Sequence, residues 1–226
     1  MFDAVIFDCD GCLVDSEVLV AEVEFDRLAA IGLTYERDDY FARFTGLSMA
    51  AFYETIAAES VARLGRPLPE TFAAECQAAV REAVRTRLQM VPGALDAVLA
   101  VRSPKAVASS STAVALHSKL TRTGLHAPFD PHIYSADHVA RAKPAPDLFL
   151  HAAQALGIEP ARCLAIEDSS NGVRAARAAG MTVWGFTGGG HATPGTPARL
   201  HAAGANRVVA NWGEAQMLFA QIPAGS

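Results

Sequence analysis

Aromatic residues, basic clusters and long apolar runs are all scarce in this 226-residue chain. Aromatics account for 8% of it, and the 51% hydrophobic content rests mainly on alanine and the aliphatics. That suffices to fill a sizeable core in one or two domains. No two Lys or Arg residues are adjacent, and the formal net charge is −5. This excludes the basic footprint of a nucleic-acid binder and the polybasic patch of a membrane-surface protein. The apolar runs fall far short of the ~18 residues of a membrane span. The first residues lack a basic n-region followed by an apolar h-region, so no signal peptide is expected and the expected location is cytoplasmic.

Cysteine is sparse too, with Cys9, Cys12, Cys76 and Cys163 making up the set. Cys9 and Cys12 stand at a C-x-x-C spacing, which raises a redox or zinc reading. The residues between them are Asp10 and Gly11, and no second C-x-x-C completes a zinc site. A cation site built of carboxylates favours hard ions over thiolate-bound ones. The cysteines are therefore expected to be small buried residues. No internal repeat or low-complexity segment is visible.

What the chain does have is an acidic strand end at its start. Ala4, Val5, Ile6 and Phe7 form an apolar run that stops at Asp8, with Asp10, Gly11 and Asp15 close behind. A short run of this kind bounded by Asp and Gly reads as a buried parallel strand. The carboxyl ends of such strands are where open α/β sheets place their ligands. Two carboxylates at i, i+2 there need a cation, because burying unpaired charge costs several kcal/mol.

The texture then turns helical. Val18, Ala21, Phe25 and Leu28 recur at helical spacing up to Gly32, and Arg37 to Phe44 reads as a short helix. Residues 44 to 48 form a turn into a helix with Met49, Phe52, Tyr53 and Ile56 on one face. Pro67 and Pro69 interrupt, and a fourth helix carries Phe72, Cys76, Val80, Val84 and Leu88. No strand-like run falls between residues 16 and 88. From Val91 onward strands and helices alternate: a helix to Leu99, strands at Ala106–Ala108, His132–Tyr134, Cys163–Ile166, Thr182–Phe186 and Val208–Val209, and a last helix from Glu214 to Phe219. Alternation implies a parallel sheet with right-handed crossovers. The first strand must pair with strands after residue 105. The expected architecture is α/β, with a discontinuous three-layer core over 1–15 and 89–226 and an inserted α-helical cap over 16–88.

Polar groups gather where these strands end: Asp8 and Asp10 after the first, Ser109 after the next, Glu167 and Asp168 after a later one, with Lys143 in a loop between. Parallel strands place these ends on one edge. Such a set suits phosphoryl transfer, in which a carboxylate nucleophile and an anionic ester repel each other unless a cation and a lysine intervene. Mg²⁺ takes oxygen ligands and retains several waters. Ser109 and the backbone N–H groups opening the following helix suit a phosphate oxygen. A second acid two residues from the nucleophile can protonate a leaving alcohol and then activate water.

FDCDGCLVDSE, VASSS, AKPAPDLF and IEDSSNGVRAARAAGM, in that order, resemble the four motifs of the haloacid dehalogenase superfamily across Phe7 to Met181. The similarity is to the subgroup holding beta-phosphoglucomutases and small sugar-phosphate phosphatases such as 6-phosphogluconate phosphatase. The resemblance implies a Rossmann-like core, a Mg²⁺ cofactor and an aspartyl-phosphate intermediate. By position it makes Asp8 the nucleophile and a metal ligand. Asp10 becomes the general acid/base and gives its backbone carbonyl to the metal. Ser109 and Lys143 hold the transferring phosphate, with Gly11 and Ser110 beside it, and Asp168 ligates the metal with Glu167 as a ligand or a ligand's partner. Cys12 departs from the family's usual Thr.

Each of these residues also has a plain structural role open to it. Ser109 or Asp168 can cap a helix, and Lys143 can be a solvated lysine. Asp15 and Glu17 suit the junction with the cap, His191 reads as a loop histidine, and Asn171 and Arg174 belong to the helix after Asp168. Within the family, Asp10 and the acidic pair favour phosphate chemistry over halide displacement. Beta-phosphoglucomutases carry an arginine after the cap loop and a histidine in the first cap helix, where this chain has Met49 and Val20. That favours a phosphatase over a mutase. Arg43 and Arg63 remain as cap cations for an anionic sugar acid or sugar phosphate. Residues 16–88 hold 12 acidic and 8 basic residues against 12 and 11 elsewhere, which disfavours a polyanion. A response-regulator receiver lacks the inserted helices, and a non-catalytic binding protein would have lost Asp8 or Asp10. The expected partner is a small phosphate ester, with neither nucleic acid nor membrane, and the chain a monomer or weak homo-oligomer.

Overall fold

The structure, a computed structural model, describes residues 2–44, 47 and 49–220. The chain divides into two compact units, Met1–Asp15 with Gln89–Ser226 and Ser16–Leu88.

In the first unit the apolar run becomes strand β1 (Ala4–Phe7), buried throughout. After the helical unit come helix α5 (Ala94–Ala100), strand β2 (Lys105–Ser109), helices α6 (Ala113–Thr123) and α7 (His126–Phe129), and strand β3 (Ile133–Ser135). Helix α8 (Asp147–Leu156), strand β4 (Cys163–Glu167), helix α9 (Ser170–Ala178) and strand β5 (Thr182–Phe186) follow. Helix α10 (Thr196–Ala203), strand β6 (Arg207–Val209) and helix α11 (Trp212–Phe219) complete it. Among the described residues the strands form one sheet in the order β3-β2-β1-β4-β5-β6, every pair parallel. Ile6 faces Ala106 on one side and Ala165 on the other. The chain runs outward from β1 to β3, then returns to β4 beside β1. The topological switch point, where such sheets open a crevice, thus lies at the carboxyl end of β1.

Strand alternation sorts the two faces. Ala4 and Ile6 join Leu148, Phe149, Ala152 and Ala153 of α8, Val173, Ala175 and Ala176 of α9 and Leu200 of α10 in one buried cluster. Phe7 faces the opposite way, its ring centroid 5.5 Å from Phe129, 5.7 Å from Trp212 and 6.5 Å from Phe219. Alanine on the strands lets helices approach one face closely, while stacked rings fill the other. The buried Trp212 finds its partner in the turn after β1, donating Nε1–H to the Cys12 carbonyl at 3.0 Å.

The second unit has four helices among the described residues: α1 (Ser16–Ala30), α2 (Arg37–Phe44), α3 (Met49–Leu64) and α4 (Phe72–Arg87). Helix α1 gives way at Gly32, which holds a left-handed φ of +94°. Leu28, Leu33, Tyr40, Phe41, Phe44, Phe52, Ile56 and Phe72 make its core. Tyr40 is ringed by Phe25 at 4.6 Å and Phe44 at 4.9 Å. Residues 45, 46 and 48 of the expected turn over 44–48 lie outside the described residues.

Helices α7 and α10 are not foreshadowed by periodicity. Helix α7 is four residues long, and α10 buries only Thr196 and Leu200, so neither has an apolar stripe to read. No helix among the described residues is long and apolar enough to cross a membrane.

Candidate active site

Asp8 is the first residue past β1 and extends its ladder, its N–H donating to the Ile166 carbonyl at 2.9 Å. The side chain is buried. Lys143 reaches it from the loop before α8, with Nζ 2.5 Å from Asp8 Oδ1, 2.6 Å from Glu167 Oε1 and 2.8 Å from the Ala108 carbonyl oxygen. That lysine is 4% exposed and so is not a solvated surface cation. Its peptide bond to Pro144 is cis. Burial opposes the lysine's charge, but Asp8 and Glu167 outweigh it and hold its pKa above the ordinary lysine value. Burial drives the Asp8 pKa well up; Lys143 counters this, while Glu167, Asp168 and Asp10 push the same way as burial.

Asp10 is held by a second polar group. Ser111 Oγ donates to its Oδ2 at 2.8 Å and Ser109 Oγ at 3.2 Å, while Lys119 of α6 pairs with Oδ1. Lys119 also donates to Ser111 Oγ at 2.9 Å. Of the three consecutive serines, Ser109 is buried and Ser110 is exposed, and it is Ser111 that turns back to Asp10. Ser109 is not the helix cap. Thr112 caps α6, its Oγ1 accepting from the Ala115 N–H. Asp168 is likewise no cap, since Ser169 Oγ takes the Gly172 N–H at 3.0 Å.

Glu167 spends both oxygens locally, Oε1 on Lys143 and Oε2 on the Ser169 N–H and Oγ–H at 3.1 and 2.9 Å. Burial raises its pKa, with Lys143 as the main opposing influence. It fills the space over Gly172, where a Cβ would stand 1.7 Å from Oε1. Gly11, in a left-handed conformation with φ +77°, is fixed by a bond from its N–H to the Val14 carbonyl at 2.8 Å. A Cβ there would collide with Asp168 Oδ2 at 2.1 Å.

A group that could hold a metal ion stands between these clusters: ligand atoms of Asp8, Cys12 and Asp168 lie within 4.8 Å of one another, all three side chains buried. Cys12 Sγ is 3.9 Å from Asp168 Oδ1. Its thiol pKa is pushed well up by burial, then by Asp168 and Asp8, so the thiol stays protonated and the effective donors are carboxylate oxygens. Four carboxylates, Asp8, Asp10, Glu167 and Asp168, face two lysines, Lys143 and Lys119. The carboxylate oxygens are the donors a hard divalent cation takes.

Sequence reasoning did not single out Lys119, Ser111 or the place of His191. Lys119 lies in a polar stretch of α6 with no mark to separate it from a surface lysine. His191 is buried in its loop, with Nε2 2.9 Å from Asp168 Oδ2. Asp15 accepts from the Gly190 N–H at 2.9 Å through Oδ1, and Arg174 donates to Asn171 within α9 at 3.2 Å. In the helical unit Arg43 and Arg63 both pair with Glu59. The four cysteines are free and buried, as expected of them.

A carboxylate centre at the switch point of an all-parallel sheet defines a doubly wound α/β enzyme. The family model for haloacid dehalogenase-like hydrolases matches residues 2–180. The chain is 34% identical to the fructose-1-phosphate phosphatase YqaB of Escherichia coli K12 over 182 residues, covering 80% of this chain and 94% of that protein. It is 28% identical to the 6-phosphogluconate phosphatase of the same organism over 192 residues, or 85% and 86%. A crystal structure of a hydrolase of this family from Deinococcus radiodurans R1, with bound phosphate and sodium, superposes with a TM-score of 0.87 at 36% identity, covering 97% of this chain and 96% of that one. The chain belongs to the haloacid dehalogenase-like hydrolases.

Proposed function

We propose that this hydrolase is a Mg²⁺-dependent phosphatase acting on a small phosphorylated metabolite, a sugar phosphate or phosphorylated sugar acid, through an aspartyl-phosphate. Residues 1–15 and 89–226 would form the catalytic core, and 16–88 a cap of the kind that excludes water from small substrates. The observation that carries the reading is the convergence of Asp8, Asp10, Ser109 and Asp168 at neighbouring strand ends with Lys143 from the loop before α8. The two named relatives are phosphatases of a sugar phosphate and a phosphorylated sugar acid.

In this reading Asp8 attacks phosphorus, forming an acyl phosphate as the ester's P–O bond breaks. Asp10 gives its proton to the departing alcohol oxygen, then takes one from the water that attacks the acyl phosphate, releasing inorganic phosphate and restoring Asp8. Lys143 and Ser109 hold phosphate oxygens, Gly11 and Ser110 lie on the two turns that border them, and Lys143 offsets the repulsion between Asp8 and the anionic ester. Asp8, Asp168 and the Asp10 carbonyl would hold Mg²⁺, with Glu167 fixing Lys143 from behind. Mg²⁺, when bound, would supply charge stabilisation for the transferring phosphoryl group.

The test is phosphate release from phosphorylated sugars, sugar acids and polyols, with Mg²⁺ and with EDTA. Mg²⁺-dependent release from one or a few of them is expected. Interconversion of a sugar phosphate only when a bisphosphate is supplied, without release, would replace the phosphatase by a mutase.

A further inference from the structure

His191 has no part in the chemistry above, yet the backbone is shaped around it. A carboxylate only accepts hydrogen bonds, so at 2.9 Å the His191 Nε2 is the donor to Asp168 Oδ2. The other oxygen, Oδ1, faces Cys12 Sγ at 3.9 Å, and Cys12 belongs to the group formed with Asp8. The imidazole thus engages one oxygen of Asp168 and leaves the other to its neighbours in that group. Two glycines make room for the ring. A Cβ on Gly11 would stand 2.7 Å from His191 Cε1, and one on Gly189 would stand 2.8 Å from both Cε1 and Nδ1 and 2.4 Å from the Gly11 oxygen. The bond from the Gly190 N–H to Asp15 Oδ1 fastens the same loop to the far side of the turn that carries Asp10 and Cys12.

We propose that His191 is a positioning residue for the metal site, its Nε2–H fixing the Asp168 carboxylate so that Oδ1 is presented to a divalent cation shared with Asp8. The inference rests on the reading of the site as Mg²⁺-dependent. His191 stands behind Asp168, outside the group of ligand atoms, and acts through it. A ligand whose remaining atom is hydrogen-bonded is held in the orientation the ion needs, and loss of such a partner typically costs 10–100-fold in metal affinity.

Calorimetric titration of MgCl₂ into the full chain, without substrate, tests this directly. His191→Leu should weaken Mg²⁺ binding about 10–100-fold, and His191→Gln, which restores an N–H donor, should recover part of the loss. In steady-state assays the deficit of the Leu variant should shrink as Mg²⁺ is raised, with little change in KM for the ester. Should the Leu variant fail to fold, His191→Asn, which keeps a polar side chain too short to reach Asp168, provides the second measurement and should lower Mg²⁺ affinity in the same direction. A folded His191→Leu chain binding Mg²⁺ as tightly as the unaltered protein would overturn the proposal, as would an unaltered protein that binds no Mg²⁺. Weakened Mg²⁺ binding in the variant, beside an unaltered protein that hydrolyses no ester, would sink the phosphatase reading and leave the positioning role standing.

Discussion

The two compact units handle charge differently. In the helical unit acids and bases meet at the surface, often a turn apart: Arg85 with Glu82, Arg63 with Glu59 and Arg43 with Asp39. The sheet unit has pairs with exposed arginines too, Arg141 with Asp147 and Arg162 with Asp3, but it alone also pairs charges in the interior across long stretches of chain, Lys143 with Asp8 and Glu167 and Lys119 with Asp10, among the described residues. Exposed pairs of the first kind contribute little, because water and salt screen them. Removing two charges from water costs several kcal/mol per ion before attraction returns any of it. A fold gains little stability from a buried centre with more acids than bases. The helical unit shows that this chain can pair its charges cheaply, so the expense in the sheet unit marks where its chemistry is.

Three changes would break or sharpen that contrast. The largest effect is expected from Asp8→Asn, which keeps the side chain's shape and removes the proposed nucleophile. Phosphate release should fall by roughly 10³-fold or more with the circular dichroism spectrum unchanged, and activity above a tenth of the original would remove Asp8 from its role. Next comes Lys143→Met, which leaves two buried carboxylates facing each other. A loss of about 3–5 kcal/mol is expected in urea unfolding, and an unaltered midpoint would show the centre to be less strained than its charges imply.

The smallest effect concerns the helical unit's own exception. Glu24 is largely buried, accepts a hydrogen bond from Tyr40 and has no basic partner among the described salt bridges. Burial, partly offset by that bond, lifts its pKa from 4.5 to about 7. Its folded-state pKa exceeds the unfolded value, so its contribution is complete below pH 4.5 and is lost as pH rises through 7. By linkage the loss is at most about 3 kcal/mol. Glu24→Gln keeps an acceptor for Tyr40 and should flatten this part of the pH dependence between pH 5 and 8 in urea titrations. Parallel decline of both proteins would show that the penalty lies elsewhere.

Much of the sheet unit was legible because its polar residues interrupt apolar runs. Asp8, Ser109 and Glu167 each follow residues that only a buried strand explains, so their type and place were readable together. Which of Ser110 and Ser111 turns inward was not, since that depends on the path of the chain leaving β2. Lys119 reaches Asp10, in the turn after β1, only through the tertiary placement of α6, a fact with no trace in its neighbours. His191 was masked by the glycines around it. They read as a loose loop, whereas Gly189 is there because a side chain would strike the ring. The helical unit's elements were readable from periodicity, but the sharing of Glu59 by two arginines was not, because α2 and α3 must first be side by side.

The placement of β1 bears on how the protein is made. Within this sequence β1 precedes both of its partners, although it is an interior strand of the sheet, between β2 and β4. Its partners begin at residues 105 and 163, so as the chain grows one edge stays unpaired until β2 is made and the other until β4 is made. Contacts so distant in sequence form slowly, and an unpaired apolar strand is a template for the wrong partner. A strand of four residues followed by Asp8 and Asp10 is poorly suited to that error, because charge beside an apolar run keeps like strands apart.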